Sequence, residues 1–360
     1  MPSKKRKSTG VEFVRGFVRP SDQDIADAVG TYPWGKYTNH REEILSKVTT
    51  SSLASIREID CPQYYRNEDV LGRPIWPDLP VPLDEGSWLA NVLEKGQTVT
   101  SYISDMTLRS GRFRPKANAE SNIIYVIPIV APDDELQWPV TAPPLLLLSN
   151  WLGAFFDRKC VIADFATLSP SSSSATWCAP DGRMCQVRGR ISSHSDRFQT
   201  HVEGLLNNLQ EYKQRGDDNK GNLQSAFAVV GVTMLDLYSG RDDLFIAGMA
   251  SPCQGVAVLS FARYHPHLKM CPFHWDDIGY ISKASYYSYY EDNKRRPRTV
   301  SQMPPFDSMD KVSRTEYTRR AGKLLVHEIC HVFGLEHCIY YHCLMNGTGE
   351  EIVPLRYLVQ

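Results

Sequence analysis

One segment of the 360-residue chain constrains its fold more than any other. It begins at His327, ends at His337 and has the sequence His-Glu-Ile-Cys-His-Val-Phe-Gly-Leu-Glu-His. Residues four apart lie on the same face of a helix, so His327 and His331 can direct two ring nitrogens to one ion. Gly334 can adopt the left-handed conformation that ends a helix and turns the chain. The spacing therefore predicts a helix that ends at a site of three histidines.

Glu328, the residue after the first histidine, indicates what such a site would do. Its carboxyl group can stand beside a bound ion without coordinating it. Three protein ligands leave the fourth position of zinc to a water, whose pKa falls from about 15.7 to roughly 7. We therefore predict hydrolysis in which Glu328 takes a proton from zinc-bound water. The alternative, a helix with surface histidines, explains neither the glycine nor the third histidine.

The apolar patterns predict the fold class. Ile123 to Val130 is a mostly β-branched run, typical of a strand covered on both faces, with pairing that ends near Pro128. Leu145 to Phe156 predicts a buried helix and Arg197 to Gln214 an amphipathic one. The helix with the histidines is predicted over Ser313 to Phe333. Strands that alternate with helices predict an α/β fold, with a mostly parallel mixed sheet and packed helices.

The weaker patterns complete this outline. Residues 1–120 are poorly patterned, and we expect them to form an N-terminal extension of a main domain at 121–360. Within the main domain, further strands are predicted at 160–165, 184–191, 226–232 and 255–263, and a serine-rich loop at 171–176.

Composition limits the partners and the compartment. The formal net charge is −1, so no field over the whole molecule attracts nucleic acid. No apolar stretch follows the first residues as in a signal peptide, and the most apolar run, Pro143 to Phe156, is too short to span a bilayer. Nine cysteines without a repeating spacing favour a reducing compartment. We expect an intracellular, cytoplasmic protein with no membrane partner.

Two basic segments leave alternatives open. Lys4 to Lys7 fits a nuclear localisation signal and equally a solvated N-terminus. Tyr286 to Arg298 interleaves tyrosines with basic residues, as grooves for single-stranded nucleic acid do. Glu291 and Asp292 dilute that charge, so a solvated loop is the favoured interpretation and nucleic acid is not the expected partner. The sequence predicts no oligomeric state.

The residues after the third histidine narrow the class. Cys338 follows at once, then come four residues, Cys343, and Met345 after one more. The whole run, HExxHxxGxxHCx4CxM, resembles that of the archaemetzincins, a family of metzincin zinc peptidases. The stretches Val230 to Tyr238 and Gly255 to Tyr264 are also similar to that family.

This resemblance implies a zincin-like fold and a peptide or protein substrate. It assigns His327, His331 and His337 as ligands of the catalytic zinc and Glu328 as the general base. It also places Met345 beneath the metal. The segment Gly255 to Phe261 would then be the sheet edge along which an extended substrate lies.

The resemblance also concerns a second zinc. Archaemetzincins continue into two further cysteines, which join the counterparts of Cys338 and Cys343 in a four-thiolate structural site. The sequence ends at Gln360 without them, so we expect half of this site, a C-terminally truncated domain and a doubtful second zinc. Cys330 and His342 are conceivable extra ligands, although a buried small thiol is the favoured interpretation of Cys330.

Two functions follow from these residues. The first is a zinc metallopeptidase that uses Glu328 to activate water. The second is a zinc-binding interaction protein that has lost turnover. The intact His-Glu pair favours the first, because a purely structural site has no use for Glu328, and the missing cysteine pair favours the second.

Overall fold

The computed structural model describes part of the chain, in segments between residues 96 and 346. Most of these residues form one compact unit within Leu108–Leu335, and a smaller unit contains the described parts of Met1–Thr107 and Glu336–Thr348. Because residues 1–95 lie outside the described part, the N-terminal extension at 1–120 stays a prediction. The described segments are 96–98, 101–102, 104–105, 122–132, 138–192, 198–216, 223–241, 245–252, 254–266, 303–339 and 344–346.

Within its described residues, the larger unit combines one large sheet with three α-helices. Its strands follow the order β8-β6-β5-β4-β3-β1-β7-β10-β9, with β2 paired to β1. Parallel pairs join β1 to β2, β3 and β7, and antiparallel pairs join β3 to β4 and β10 to β9. The mixed α/β fold is thereby confirmed. The elements are β1 (Ile123–Val130), α1 (Leu145–Phe156), β2 (Lys159–Ile162), β3 (Ala166–Pro170), β4 (Ser174–Cys178), β5 (Met184–Ile191), β6 (Phe198–His201), α2 (Val202–Arg215), β7 (Ala228–Thr233), β8 (Asp236–Tyr238), β9 (Gly248–Ser251), β10 (Val256–Ser260) and α3 (Lys311–Val332).

Pro128 does not end the pairing of β1, contrary to the prediction. It lies opposite Val232 of β7, and that pairing continues to Ile129. The carbonyl of Val126, two residues earlier, accepts a hydrogen bond from the N–H of Ala163 just after β2. Backbone groups of residues two apart point the same way, so the backbone nitrogen of Pro128 also points towards this side of β1. On that side β2 has ended and β3 begins opposite Ile129. The missing N–H of Pro128 therefore falls where one neighbouring strand replaces another.

A hydrophobic core lies between one face of the sheet and α2. Tyr125, Ile127 and Ile129 of β1 are buried there together with Leu205 and Leu209 of α2. Burial of each such aliphatic side chain contributes about 1.5–3 kcal/mol. Side chains alternate between the two faces of a strand, so the intervening residues of β1, which are also buried, point to the opposite face. As predicted, this strand is covered on both sides.

Helix α1 has the predicted bounds but is only half buried. Leu146, Leu147 and Phe155 are exposed, so the prediction of a buried helix was wrong for that face. The other face packs on α3, where Trp151 lies directly against the backbone of Gly322. No helix within the described segments is long and apolar enough to cross a membrane.

The edge of the sheet beside α3 is β9, not the segment Gly255 to Phe261. Strand β10, which occupies most of that segment, pairs with β7 on one side and with β9 on the other. Because each flank of β10 is occupied, it offers no free backbone groups to a further strand. Among the described strands, β9 ends the sheet on this side.

Two other segments differ from their predictions. The range Arg197 to Gln214 contains strand β6 before helix α2, because β6 pairs with β5 and β8. The range Ser171 to Thr176, predicted as a loop, includes the start of β4. Ala175 and Trp177 of β4 are buried in the hydrophobic core, and β4 pairs with β3 and with β5; together these contacts outweigh the low strand preference of serine.

Candidate metal centre

Helix α3 carries the first two histidines of the predicted site. The helix begins after Asp310, whose carboxylate accepts a hydrogen bond from the backbone of Ser313 at 2.9 Å. This cap explains why the helix starts two residues earlier than predicted. One turn separates His327 from His331, and their Nε2 atoms are 3.1 Å apart. The helix thus directs both rings to one point.

Gly334 ends the helix as the sequence predicts. Its φ angle is 83°, in the left-handed region. Its N–H donates to the carbonyl of His331 at 2.9 Å, and the N–H of Leu335 donates to the carbonyl of Cys330 at 3.1 Å. These two bonds form a Schellman motif, which satisfies the last carbonyl groups of the helix while the chain turns.

The turn also determines which nitrogen of His331 is available to a metal. Nδ1 of His331 lies 2.6 Å from the carbonyl oxygen of Leu335. A carbonyl oxygen accepts only, so Nδ1 carries the proton and Nε2 keeps its lone pair. A hydrogen bond of this kind is a usual companion of a metal-bound histidine.

The third histidine completes a group that could hold a metal ion. One ring nitrogen from each of His327, His331 and His337 lies within 4.8 Å of the other two. Two nitrogens bound to one tetrahedral zinc at about 2.0–2.1 Å are about 3.3–3.4 Å apart. The 3.1 Å between the first two histidines is close to that value, so the donor set fits a zinc ion.

Glu328 is the buried acid of the site. Its side chain is 5% exposed, and its Oε2 atom is buried without a hydrogen-bond partner. Burial raises the pKa of Glu328 to about 8. The pKa of the buried Tyr264 hydroxyl is also raised, first by burial and then by the charge of Glu328. Glu328 is therefore a carboxyl group in a low-dielectric environment, where a nearby cation would favour its ionised form.

The cysteine pair is described only in part, because Cys343 and His342 lie outside the described residues. The N–H of Cys338 donates to the carbonyl of Met345 at 2.6 Å, and Asn346 Nδ2 donates to the carbonyl of Cys338 at 2.8 Å. These bonds hold Met345 and Cys338 together in the segment after the third histidine. A role for Met345 beneath the metal and the half-site of cysteines stay predictions.

Cys330, the other conceivable thiol ligand, is buried in α3. Burial raises the pKa of its thiol to about 12. A protonated thiol is a poor metal ligand, so this environment fits the interpretation of Cys330 as a small buried side chain. The basic segments Lys4 to Lys7 and Tyr286 to Arg298 lie outside the described residues.

Two residues near this site were missed by the sequence analysis. Gly248 of β9 lies against the carboxyl group of Glu328, and only the packing of β9 on α3 brings them together. Lys323 is 1% exposed, and its Nζ atom has no hydrogen-bond partner. A signal for Lys323 was available, because it precedes His327 by four residues and therefore lies on the helix face that carries the histidines.

The fold and the site together define a class: a mixed α/β protein with the HExxHxxGxxH metal-binding motif at the end of a helix. Among curated proteins, the chain is similar to archaemetzincin-2 of Rattus norvegicus, with 29% identity over 278 residues. This alignment covers 74% of the chain and 62% of the relative. Archaemetzincin-2 of Mus musculus is 28% identical over 277 residues, with the same coverage. These relatives confirm the resemblance seen after His337, although the chain spans less than two thirds of their length.

Two solved structures with a similar fold carry the same family name. The archaemetzincin of Archaeoglobus fulgidus, complexed with malonate, is 18% identical, with a TM-score of 0.32 over 62% of this chain and 85% of its own. The archaemetzincin of Methanopyrus kandleri is 17% identical, with a TM-score of 0.35 over 65% of this chain and 86% of its own. No protein-family model matches the chain.

Proposed function

We propose that this chain is a zinc-dependent metallopeptidase in which Glu328 is the general base. The observation that carries the proposal is the group of imidazoles at His327, His331 and His337, adjacent in sequence to a buried carboxyl group. Three protein ligands are typical of a catalytic zinc, which keeps one position open. The similarity to archaemetzincins supports the zinc metallopeptidase class.

The histidines fit zinc by chemistry as well as by distance. Neutral imidazole suits zinc, copper, iron and nickel, and the similarity to archaemetzincins favours zinc among them. When bound, zinc supplies Lewis acidity towards a carbonyl group and lowers the pKa of a water to about 7. The hydrogen bond from His331 Nδ1 to the Leu335 carbonyl holds that ring with Nε2 ready to bind.

Glu328 would move the proton. In its ionised form, the carboxylate accepts a proton from the water that attacks the peptide carbonyl. It then donates the proton to the leaving amine, so the carboxylate is regenerated at the end of the cycle. Burial alone holds the pKa of Glu328 at about 8, and a cation beside it would lower that value. Burial and the cation thus act on this pKa in opposite directions, and a group that must accept and then donate a proton is most effective when its pKa lies near the working pH.

Strand β9 is the proposed place for the substrate backbone. Gly248 lies opposite Leu259 of β10, while the flanking Ala247 carbonyl accepts a hydrogen bond from Ser260 at 2.8 Å. In an antiparallel ladder, this pattern directs the N–H and C=O of Gly248 away from β10. We expect an extended peptide to pair with these outward backbone groups of β9.

The experiment is a cleavage profile on a peptide library with matched variants. We expect zinc-loaded wild-type protein to cleave, and Glu328→Gln to retain zinc while turnover falls by at least about a hundredfold, the lower range of general-base effects. Glu336→Gln removes an exposed carboxylate from the same motif and is expected to keep both zinc and turnover. Undiminished cleavage by Glu328→Gln would refute the assignment of the general base.

The same experiment also tests the other candidate function, a zinc-binding interaction protein without turnover. A wild-type protein that binds zinc at the three histidines and cleaves no peptide of the library would contradict the peptidase proposal. That result would fit a zinc-binding interaction protein without turnover. A protein that binds no zinc even when zinc is supplied in excess would contradict both functions.

A further inference from the structure

Gly248 occupies the point of β9 that faces the carboxyl group of Glu328. A Cβ atom at this position would lie 2.5 Å from Oε1, 2.6 Å from Cδ and 2.9 Å from Cγ of Glu328. The optimal separation of two non-bonded carbon atoms is about 3.5–4.0 Å. Any side chain here would therefore collide with the carboxyl group.

The backbone of Gly248 does not itself require glycine. The glycines with positive φ angles in the described segments are Gly96, Gly182, Gly216, Gly255 and Gly334, and Gly248 is not among them. Its conformation is that of a paired strand residue, which other amino acids adopt freely. A glycine inside a strand often marks a close approach of another group. Here the three atoms nearest to the position of a Cβ all belong to Glu328.

The two residues also have little freedom to separate. Glu328 lies on the long helix α3, and its side chain is almost completely buried. Gly248 is held by the pairing of β9 with β10, which is itself paired with β7. A larger residue at position 248 would consequently push the carboxyl group from its position more easily than it would move the strand or the helix.

We propose that Gly248 is a positioning residue for Glu328. Its missing side chain leaves the space in which the carboxyl group lies, directly beside the outward N–H and C=O of the edge strand. The proposal rests on the function of Glu328 as general base, and it adds a residue 80 positions earlier in the chain to the determinants of turnover.

The kinetic test compares Gly248→Ala with the wild type, both loaded with zinc. We expect kcat to fall at least tenfold, because the carboxyl group is displaced, while KM changes less than threefold and one zinc is retained. If Gly248 had only a structural role, the substitution would lower the fraction of folded, zinc-loaded enzyme and leave the kcat of each active molecule unchanged. Titration of the active sites therefore accompanies the kinetic measurement. Equal kcat values for the two proteins would overturn the proposal.

A thermodynamic cycle on the metal-free protein tests the same contact without any assay of turnover. We expect Gly248→Ala to lower the Tm in the wild-type background and to leave it nearly unchanged in a Glu328→Ala background, where the colliding atoms are absent. Glu336→Ala, which removes an exposed carboxylate, is the control and should not relieve the loss of Tm. The same loss in all three backgrounds would overturn the proposal.

The two tests separate the possible failures. A wild-type protein without peptidase activity would refute the proposed function, and the Tm cycle would still decide whether Gly248 and Glu328 exclude one another. Cleavage by the wild type together with unchanged kcat in Gly248→Ala would refute the positioning role and leave the peptidase proposal intact.

Discussion

The ring of His331 donates from Nδ1 to the carbonyl oxygen of Leu335 across 2.6 Å. This carbonyl belongs to the residue just after Gly334, whose left-handed conformation turns the chain back towards the histidine. One turn of backbone therefore ends the helix and also fixes the tautomer in which Nε2 carries the lone pair that a metal would accept. The spacing of Gly334 from His331 has a consequence for metal binding as well as for folding.

Zinc content should depend on each member of the histidine group. We expect one zinc per wild-type chain after dialysis against zinc-free buffer, and a loss of at least ten-fold in affinity in His327→Ala and His331→Ala, since each removes one of three ligands. Elemental analysis and competition with a chelating dye measure both quantities. Cys338→Ser is the control and should retain the zinc. Two zinc ions per chain would contradict the expectation that the second site is incomplete.

Removal of zinc should lower the stability of the folded chain. A ligand that binds only the folded state stabilises it by about 2.7 kcal/mol when its free concentration is 100 times Kd. We expect zinc to raise the Tm of the wild type and a chelator to reverse the rise, whereas the Tm of His331→Ala should not respond. A calorimetric scan of each protein with and without zinc makes the comparison. An equal response in His331→Ala would place the stabilising metal elsewhere.

Local patterns predicted the parts of the fold that depend on neighbouring residues. The bounds of β1 and α1 agree with the sequence prediction, because a mostly apolar run carries its own signal, and those of β5 agree as well. Gly334 and the histidine spacing were equally predictable, since helix geometry alone relates residues three and four apart. The helix start was misjudged by two residues because the cap at Asp310 was overlooked.

Features that depend on distant residues were not predictable from the sequence. Strand β4 forms in a serine-rich segment because its backbone pairs with β3 and β5 and because Ala175 and Trp177 are buried in the hydrophobic core. The outer position of β9 follows from the order of the whole sheet, and no property of β10 indicates that another strand covers its edge. The contact of Gly248 with Glu328 depends in turn on this order. Local sequence patterns thus predict the helices and strands, whereas the environment of the Glu328 carboxyl group depends on the order of strands in the sheet.

Gly322 should be intolerant of even a methyl group. A Cβ atom there would overlap Cζ3 of Trp151 in α1. In an exposed helix, Gly→Ala stabilises by about 1 kcal/mol, but here we expect Gly322→Ala to destabilise by about 1–3 kcal/mol, because the indole ring must move. Chemical denaturation measures the change. In a Trp151→Ala background the sign should reverse, and a stabilising effect in the wild-type background would disprove the direct packing.

Lys323 should make the stability of the protein depend on pH. Burial, and next the charge of Arg319, lowers the pKa of Lys323 from 10.5 to about 7. Below pH 7 the amine is protonated in the folded and the unfolded chain, so the full cost of burying the charge applies. Between pH 7 and about 10.5 the unfolded chain binds more protons, and the free energy of unfolding therefore rises with pH.

Replacing this amine with an apolar side chain should remove both the cost and the dependence. We expect Lys323→Met to raise the free energy of unfolding at pH 7 by on the order of 2 kcal/mol, less than the whole pKa shift would give, because relaxation around a buried charge offsets part of its desolvation cost. The difference from the wild type should shrink steadily as the pH is raised from 7 to 10. Lys311→Met, at an exposed position at the start of the same helix, should show neither effect. Urea denaturation of the three metal-free proteins at several pH values measures the trend. A Lys323→Met variant that is less stable than the wild type at pH 7 would mean that the buried amine has a stabilising partner.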